Sequence, residues 1–362
     1  MMNNDRARSL QNKAAKQNAK SAKSAKSNAG KAPSKAEDRP PQQRSSKISR
    51  ALQQKCLNIF RDALWTGPED VAAVQEVKGH LYNRDFHRAF SSEAYLRAYA
   101  LRWSAARALG YLQVFEDIDG FLTDLRKGTV SGQPLKVLSV GGGAGAELVS
   151  IAGWHNFTAD ARDSEPEQAS LDVKLVDIAA WQPISDKLCE AATSMPVLSK
   201  YASAALREAN VPMVSKEHFQ ATCDQADVLE WNEETVAAQA GSIDLVTIMF
   251  TLNELYSTSV PKTQRLLKSL TTNMREGAYL LVVDSPGSYS TVAINGAEKK
   301  YPMQWLLDHT LLGRQPETAL WEKVLTNESQ WFRLPEGLEY ALELENMRYQ
   351  IHLFRRRSPQ TE

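Results

Sequence analysis

Cysteines and long apolar runs are both scarce in this sequence. The three cysteines, Cys56, Cys189 and Cys223, are widely spaced and form no C-x-x-C pair. This spacing excludes a disulfide framework, argues against a zinc site and favours a reducing compartment. No stretch of about eighteen apolar residues occurs, and there is no apolar signal-peptide core. We therefore expect no membrane association and no bound metal.

Acidic residues are nearly absent from the start of the chain, although the whole sequence has a net charge of zero. Residues 1–50 contain thirteen Lys and Arg but three acids, a net charge of +10, so the rest of the chain carries −10. Large apolar residues are also scarce there, and we predict a disordered basic tail. Its charge points to a polyanionic partner such as RNA, although a solubilising or nuclear-import tail has the same composition.

A glycine-rich turn follows a short apolar strand near the middle of the chain. Val137–Val140 is apolar and β-branched, Gly141, Gly143 and Gly145 follow at alternate positions, and Ala146–Ala152 is typical of a helix start. Glycines let a ligand approach the backbone closely, and the helix start offers free N–H groups. The spacing fits both G-x-G-x-x-A, a dinucleotide pattern, and G-x-G-x-G, the pattern of methyltransferases that bind S-adenosylmethionine. A plain turn in an α/β domain is the third interpretation.

The order of the remaining elements separates these interpretations. Strands alternate with helices after the turn, and the chain ends in two strands joined too closely to be parallel. This order predicts an α/β fold with a Rossmann-like, seven-stranded class I methyltransferase sheet and an antiparallel C-terminal hairpin. We place the hairpin strands at 338–344 and 347–354, after a helical segment at 300–330. The predicted regions are a basic tail at 1–50, a helical extension at 51–130, the methyltransferase domain at 131–357 and a C-terminal tail at 358–362.

The predicted cofactor residues follow from the positions of these elements. Asp177 ends the second strand, 36 positions after Gly141, where an acid can accept hydrogen bonds from both ribose hydroxyls. Asp227 and Val228 follow the third strand, and there we expect contacts to adenine. These methyltransferases usually have an acid where Ser139 stands, so Glu147, or Arg and Tyr groups from residues 95–103, would hold the methionine end. The full set is Gly141, Gly142, Gly143, Ala144, Gly145, Glu147, Asp177, Asp227 and Val228.

The loop after the fourth strand is the predicted substrate mouth, because ligands of open α/β sheets bind at the carboxyl ends of strands. Leu252-Asn253-Glu254-Leu255 stands there. It lacks the Asn/Asp-Pro-Pro-Tyr/Phe signature of exocyclic amino methylation and the Pro-Cys expected for methylation of pyrimidine C5. A ring nitrogen, an oxygen or a protein group remains as the methyl acceptor.

Three blocks of the sequence together resemble the fungal 25S ribosomal RNA uridine-N3 methyltransferases. They are Asp85–Phe90, Tyr95–Ser104 and Leu138–Glu147, and the Tyr-Leu-Arg-Ala-Tyr sequence of the second block is the most specific part. The resemblance covers roughly residues 50–356. It implies methyl transfer from S-adenosylmethionine to N3 of one uridine in large-subunit ribosomal RNA, free or in a pre-ribosomal particle. For such a protein we expect a monomer in the nucleus or nucleolus, and in part in the cytoplasm.

For that reaction we expect Asn253 and Glu254 to orient or deprotonate the base, and Tyr256 or Tyr289 to stack on it. Arg97 and Arg102 lie among aromatic residues of a predicted helix, where they could meet an extruded base or a cofactor carboxylate. Each of these residues also has a plainer interpretation as part of a loop or a packed helix.

Two rival functions stay open. One is a ribosome-assembly factor that keeps the fold but only binds ribosomal RNA, and the other is a methyltransferase for a protein or small molecule.

Overall fold

The computed structural model describes most of the chain beyond the predicted tail. The described residues are 46–128, 133–160, 170–198, 200–208, 210–287, 289–294, 297–314, 316 and 318–358. Residues 1–45 of the predicted basic tail and residues 359–362 of the predicted C-terminal tail lie outside them. Ile48 is buried and Ser49 caps the first helix, so the packed structure already includes residues that we assigned to the tail.

Helices form the predicted N-terminal extension. The Ser49 hydroxyl accepts a hydrogen bond from the Leu52 backbone N–H and starts the first helix, whose buried face includes Cys56 and Phe60. A π-helical turn at Ala100–Ser104 separates the last two helices, and such turns are frequent at functional sites. The helices are α1 (Arg50–Leu64), α2 (Glu69–Tyr82), α3 (Phe86–Ala89), α4 (Glu93–Tyr99) and α5 (Ala105–Gly128).

The strands confirm the predicted methyltransferase sheet. They are β1 (Leu135–Val140), β2 (Leu171–Asp177), β3 (Phe219–Gln225), β4 (Leu245–Met249), β5 (Tyr279–Asp284), β6 (Tyr289–Ile294), β7 (Ala297–Pro302), β8 (Trp321–Phe332) and β9 (Met347–Arg356). The main sheet has seven strands in the order β3-β2-β1-β4-β5-β9-β8, while β6 and β7 form a separate hairpin. β1 to β5 are parallel, and β9 pairs antiparallel with β5 and β8. Every residue of β4 and β5 is buried, which explains their continuous apolar sequences.

Helices cover both faces of this sheet, because successive side chains of a strand point to opposite faces. Val137 joins the apolar core under α1 and α5, whereas its neighbour Leu138 joins the core on the other face. The parallel strands all end at one edge, and that edge carries Asp177, Phe250 and Asp284. The remaining helices are α6 (Ala146–Asp160), α7 (Gln182–Thr193), α8 (Ala204–Glu208), α9 (Glu233–Ala240), α10 (Leu252–Thr258), α11 (Val260–Asn273) and α12 (Met303–Leu311).

The first strand of the C-terminal hairpin lies where we predicted a helix. Among the described residues of the 300–330 segment only α12 is helical, and β8 follows it as a long edge strand. Residues 338–344 form no strand, so the predicted two-residue turn at Glu345–Asn346 is wrong. Leu338, Tyr340 and Leu342 instead pack against the core from an irregular segment, and the Tyr340 hydroxyl donates to the Leu101 carbonyl at 2.9 Å. Their apolar spacing reflects this loop packing and not strand alternation.

The described residues include neither a membrane-spanning helix nor a metal-binding cluster. Over the described ranges, no helix is long and apolar enough to cross a membrane. In the same part of the chain, no group of three or more His, Cys, Asp and Glu side chains is arranged to hold a metal ion.

Candidate active site

The glycine turn between β1 and α6 is tightly enclosed. Gly141 and Gly145 have φ angles of 77° and 84°, which side chains rarely allow. A Cβ at Gly141 would lie 2.2 Å from Thr251 Oγ1, and one at Gly145 would lie 2.2 Å from Leu188 Cδ1. The turn therefore has to be made of glycines, and it touches the loop after β4.

Asp177 lies beside this turn, as its position at the end of β2 predicts. Its carboxylate accepts hydrogen bonds from the backbone N–H groups of Gly143 at 3.2 Å and Ala179 at 3.1 Å. Burial raises the pKa of Asp177 above its ordinary value, and hydrogen bonding from the Ala179, Gly143 and Ile178 N–H groups and the Trp181 side chain opposes that rise. Contact of Asp177 with the ribose hydroxyls stays a prediction.

Two polar groups flank Gly142 at the other side of the turn. A Cβ at Gly142 would lie 2.3 Å from Ser139 Oγ and 3.3 Å from Glu147 Cδ. The Ser139 hydroxyl is buried without a partner in the described structure. Glu147 is only 3% exposed, and burial raises its pKa to about 8. A carboxyl group from the first turn of α6 thus lies beside the position where the sequence has Ser139, and its contact with the methionine end stays a prediction.

The segment after β3 reaches the same region. The Ala226 N–H donates to the Asp177 carbonyl at 2.8 Å. Asp227 Oδ1 accepts the Leu229 N–H at 2.9 Å and caps a short 3₁₀-helix, in which Val228 is buried. Contact of Asp227 and Val228 with adenine stays a prediction.

A half-buried cation next to the turn was not expected from the sequence. Arg107, near the start of α5, donates to the Tyr99 hydroxyl at 3.0 Å, and its Cζ lies 5.1 Å from the centre of the Phe250 ring. Phe250 has a φ of 54°, a strained conformation for an aromatic residue, at the carboxyl end of β4. Its ring also stacks on Tyr111 with 6.1 Å between the ring centres. No local sequence signal joins positions 107 and 250, because the pair forms only in the folded chain.

The loop after β4 is held by an acid that we did not single out. Asp284, at the end of β5, accepts the Asn253 N–H at 3.0 Å and the Ser285 N–H at 2.7 Å. Burial raises the pKa of Asp284 to about 6. Asn253 Oδ1 is buried and has no partner among the described residues, whereas Glu254 is exposed. Asp284 could have been found, since it is a strand-ending acid at the same sheet edge as Asp177.

Some predicted substrate residues have other roles. Tyr256 is 1% exposed in the core beneath α11 and α12, and this burial contradicts a stacking role for its ring. Arg97 gives two hydrogen bonds, of 3.0 and 3.1 Å, to the buried Asp70, which makes it a structural residue. Arg102 pairs with Glu343 and Glu345, so a role in substrate binding stays a prediction. The backbone of Tyr289 begins β6, but its side chain lies outside the described part.

The residues at this edge fit S-adenosylmethionine. The enclosed glycine turn, the carboxylate of Asp177 beside it and the buried Ser139 and Glu147 groups match a nucleoside at one end and a charged amino acid at the other. A family model described as "Putative SAM-dependent methyltransferase" matches residues 62–355. The chain belongs to this family of S-adenosylmethionine-dependent methyltransferases. The cofactor is therefore S-adenosylmethionine, and the dinucleotide interpretation is excluded.

Relatives of this methyltransferase include a named fungal enzyme. The 25S rRNA (uridine(2843)-N(3))-methyltransferase of Saccharomyces cerevisiae (strain ATCC 204508 / S288c) is 33% identical over 295 residues, which cover 78% of this chain and 76% of the relative. This similarity confirms the family resemblance that the Tyr95–Ser104 block indicates.

Solved methyltransferase structures are more distant. A SAM-dependent methyltransferase from Methanosarcina mazei is 12% identical with a TM-score of 0.34, over 61% of this chain and 92% of that one. An O-methyltransferase family protein from Burkholderia thailandensis is 10% identical with a TM-score of 0.36, over 80% and 72%. The fold assignment depends on the strand order of this chain and not on these likenesses.

Proposed function

We propose that this methyltransferase transfers a methyl group to N3 of a uridine in large-subunit (25S) ribosomal RNA. The observation that carries the proposal is the 33% identity to the yeast uridine-N3 enzyme over 78% of the chain. The geometry supports it in a second way. The edge that carries the cofactor turn also carries a half-buried cation, Arg107, which suits a base that becomes negatively charged. The Oδ1 of Asn253 there has no partner among the described residues and can accept a hydrogen bond from the N3–H group.

The chemistry required is removal of a weakly acidic proton followed by methyl transfer. Loss of the N3 proton leaves negative charge on N3, O2 and O4, which donors fixed in advance can stabilise. Arg107 supplies such donors beside Phe250, and Asn253 Oδ1 accepts a hydrogen bond from N3–H before the proton leaves. Glu254, one residue further and exposed, accepts the proton and passes it to water.

The remaining residues fix positions. Asp284 holds the Asn253 backbone through its 3.0 Å hydrogen bond, so it sets the direction of the amide. Asp177 holds the ribose, Asp227 and Val228 hold adenine, and Ser139 and Glu147 hold the methionine end. S-adenosylmethionine, when bound, supplies an electrophilic methyl group on sulfur. Because the methyl carbon must lie in line with N3, accurate positioning should contribute much of the rate.

The test is methylation of unmodified fungal large-subunit ribosomal RNA by the full chain with methyl-labelled S-adenosylmethionine. Digestion and mass spectrometry should show 3-methyluridine, and an Asp177→Ala variant should lose it. Label in another nucleoside would contradict the proposed target atom. Cofactor binding without label in RNA or in pre-ribosomal particles would contradict the proposed reaction and favour an assembly factor.

The place of action follows from the substrate. A monomer acting in the nucleus, in the nucleolus, would meet large-subunit RNA during its assembly, with a share in the cytoplasm. The first 50 residues, with a net charge of +10, suit import or RNA contact. Microscopy of a fluorescent fusion, with and without residues 1–45, tests the location, and light scattering tests the monomer.

A further inference from the structure

A small cavity opens next to Phe250, at the edge of the sheet where the cofactor turn lies. Its volume is about 190 Å³, and it lies between the start of α5 and the start of β9. Trp103 and Phe250 give it aromatic walls, and Arg107 and Arg348 give it cationic ones. A planar base entering this cavity would therefore arrive beside the residues to which we assign the chemistry.

The charges around the cavity are unbalanced. Arg102 and Glu345 also line it, but Arg102 is paired with Glu345 at 2.5 Å and with Glu343 at 3.3 Å. Arg107 and Arg348 have no carboxylate within ion-pair distance among the described residues, in contrast to Arg102. Arg348 is thus left to face an anionic ligand, whereas Arg107 also interacts electrostatically with the buried Glu147 and with Asp284.

One of these arginines, Arg348, also contributes to the outer surface of the sheet. Arg348 pairs across the strands with Trp331 of the edge strand β8, and its Cζ lies 5.7 Å from the centre of the Trp331 ring. Arg333 stacks on the same indole, with its Cζ at 3.9 Å, and also lacks a carboxylate partner in the described structure. Trp331 is 38% exposed. We call Trp331, Arg333 and Arg348 the arginine–tryptophan surface.

Contact with the Trp331 indole restrains the guanidinium groups of Arg333 and Arg348. It holds their planes in place through cation–π attraction, while the N–H donors at their rims stay available. Arg348 uses one of them, Nε, to donate to Ser329 Oγ at 3.0 Å. Donors held in advance lose less side-chain entropy when they bind phosphate, which favours a phosphate backbone over a mobile acidic peptide.

We propose that the arginine–tryptophan surface binds the phosphates of the RNA strand next to the target nucleotide, whose base enters the cavity beside Phe250. This inference rests on the proposed function and adds the path of the RNA. The two parts connect through Arg348, which lines the cavity and belongs to the surface. A strand that crosses β8 and β9 can thus place one extruded base at Arg107 and Phe250.

The test uses an Arg333→Ala/Arg348→Ala double variant and a Trp331→Ala variant of the full chain. Binding of a fluorescent polyuridine oligonucleotide should weaken about 10-fold in the double variant, and the salt slope should fall by about 1.4, since each single-strand phosphate contact contributes about 0.7. KM for ribosomal RNA should rise while cofactor affinity stays unchanged. An Arg333→Lys/Arg348→Lys variant should keep the salt slope.

Two matched controls are available. Arg355 is exposed on the same strand, β9, seven residues and roughly 23 Å from Arg348 at the opposite edge of the sheet. Trp305 on α12 is 47% exposed and also lies in an aromatic stack, with Tyr301 and His309. Arg355→Ala and Trp305→Ala should leave RNA binding unchanged.

The outcomes separate this inference from the proposed function. Unchanged RNA binding by the double variant overturns the proposal that the arginine–tryptophan surface binds RNA, whatever the methylation assay shows. Equal losses in Trp305→Ala and Trp331→Ala also overturn it, since the RNA would then cross another face. Absence of 3-methyluridine with the unaltered protein overturns the proposed reaction, while the binding comparison still decides the surface.

Discussion

The two halves of the active site are assembled in different ways. The cofactor half, Gly141–Gly145 with Glu147 and Asp177, comes from consecutive elements, β1, α6 and β2. The nucleotide half joins Arg107, Phe250 and Asn253 from parts of the chain more than a hundred positions apart. A local pattern can therefore predict the first half, whereas the second becomes visible only when the strands are paired.

Substitution of Asn253 should have the largest effect on kcat while leaving the cofactor half of the site intact. Asn253→Ala removes a buried amide that we assign to the base, so kcat should fall about 100-fold, the range for loss of one fixed hydrogen-bonding group in a transition state. The affinity for S-adenosylmethionine should stay unchanged in calorimetry, and Asn273→Ala, on the surface of α11, serves as the control. A parallel loss of cofactor affinity would show that the two halves are not independent.

Substitution of Gly143 should instead weaken binding of the cofactor. A Cβ there would lie 2.3 Å from Trp181 Cδ1 and 2.8 Å from Asp177 Cβ. Gly143→Ala should therefore displace the ribose acid and weaken cofactor binding about 30-fold, roughly 2 kcal/mol. Gly120→Ala is the matched control, because that glycine lies in α5 with nothing within 4 Å, and alanine should stabilise the helix slightly. Unchanged binding by Gly143→Ala would contradict the placement of the cofactor.

The same difference, between residues of consecutive elements and residues distant in sequence, explains which parts of the site could be predicted from the sequence. Strand order, the glycine turn and Asp177 follow from apolar runs that end in turn residues, and the structure has them in place. Arg107 and Asp284 were missed because their significance comes from Phe250 and Asn253, which are distant in sequence. The hairpin strand β8 was missed because Trp321 and Trp331 resemble helix-packing residues, although one is buried and the other lies on an exposed strand face.

A pH series tests the cofactor half without altering the fold. The unfolded chain releases the Glu147 proton near the ordinary pKa of 4.5, and the folded protein keeps it to about pH 8. Because the unfolded state then binds fewer protons, stability should fall as the pH rises through this window. Chemical denaturation should show Glu147→Gln gaining stability relative to the unaltered protein between pH 6 and pH 9. The affinity for S-adenosylmethionine should rise with pH in the unaltered protein but not in Glu147→Gln. An equal rise in both proteins would exclude contact of Glu147 with the methionine end.

Arg97 should affect neither half, although it belongs to the most family-specific block of the sequence. Its two hydrogen bonds go to Asp70, whose other oxygen accepts the Thr66 N–H at 2.7 Å and so shapes the turn before α2. Arg97→Ala leaves that buried carboxylate without its cation and should destabilise the protein by about 1–3 kcal/mol. Below the melting temperature, kcat and KM for RNA should match those of the unaltered protein. A raised KM at full folding would return Arg97 to the substrate site, and RNA would then extend from the arginine–tryptophan surface across the start of α4. An unchanged KM would limit the role of Arg97 to holding α4 against α2.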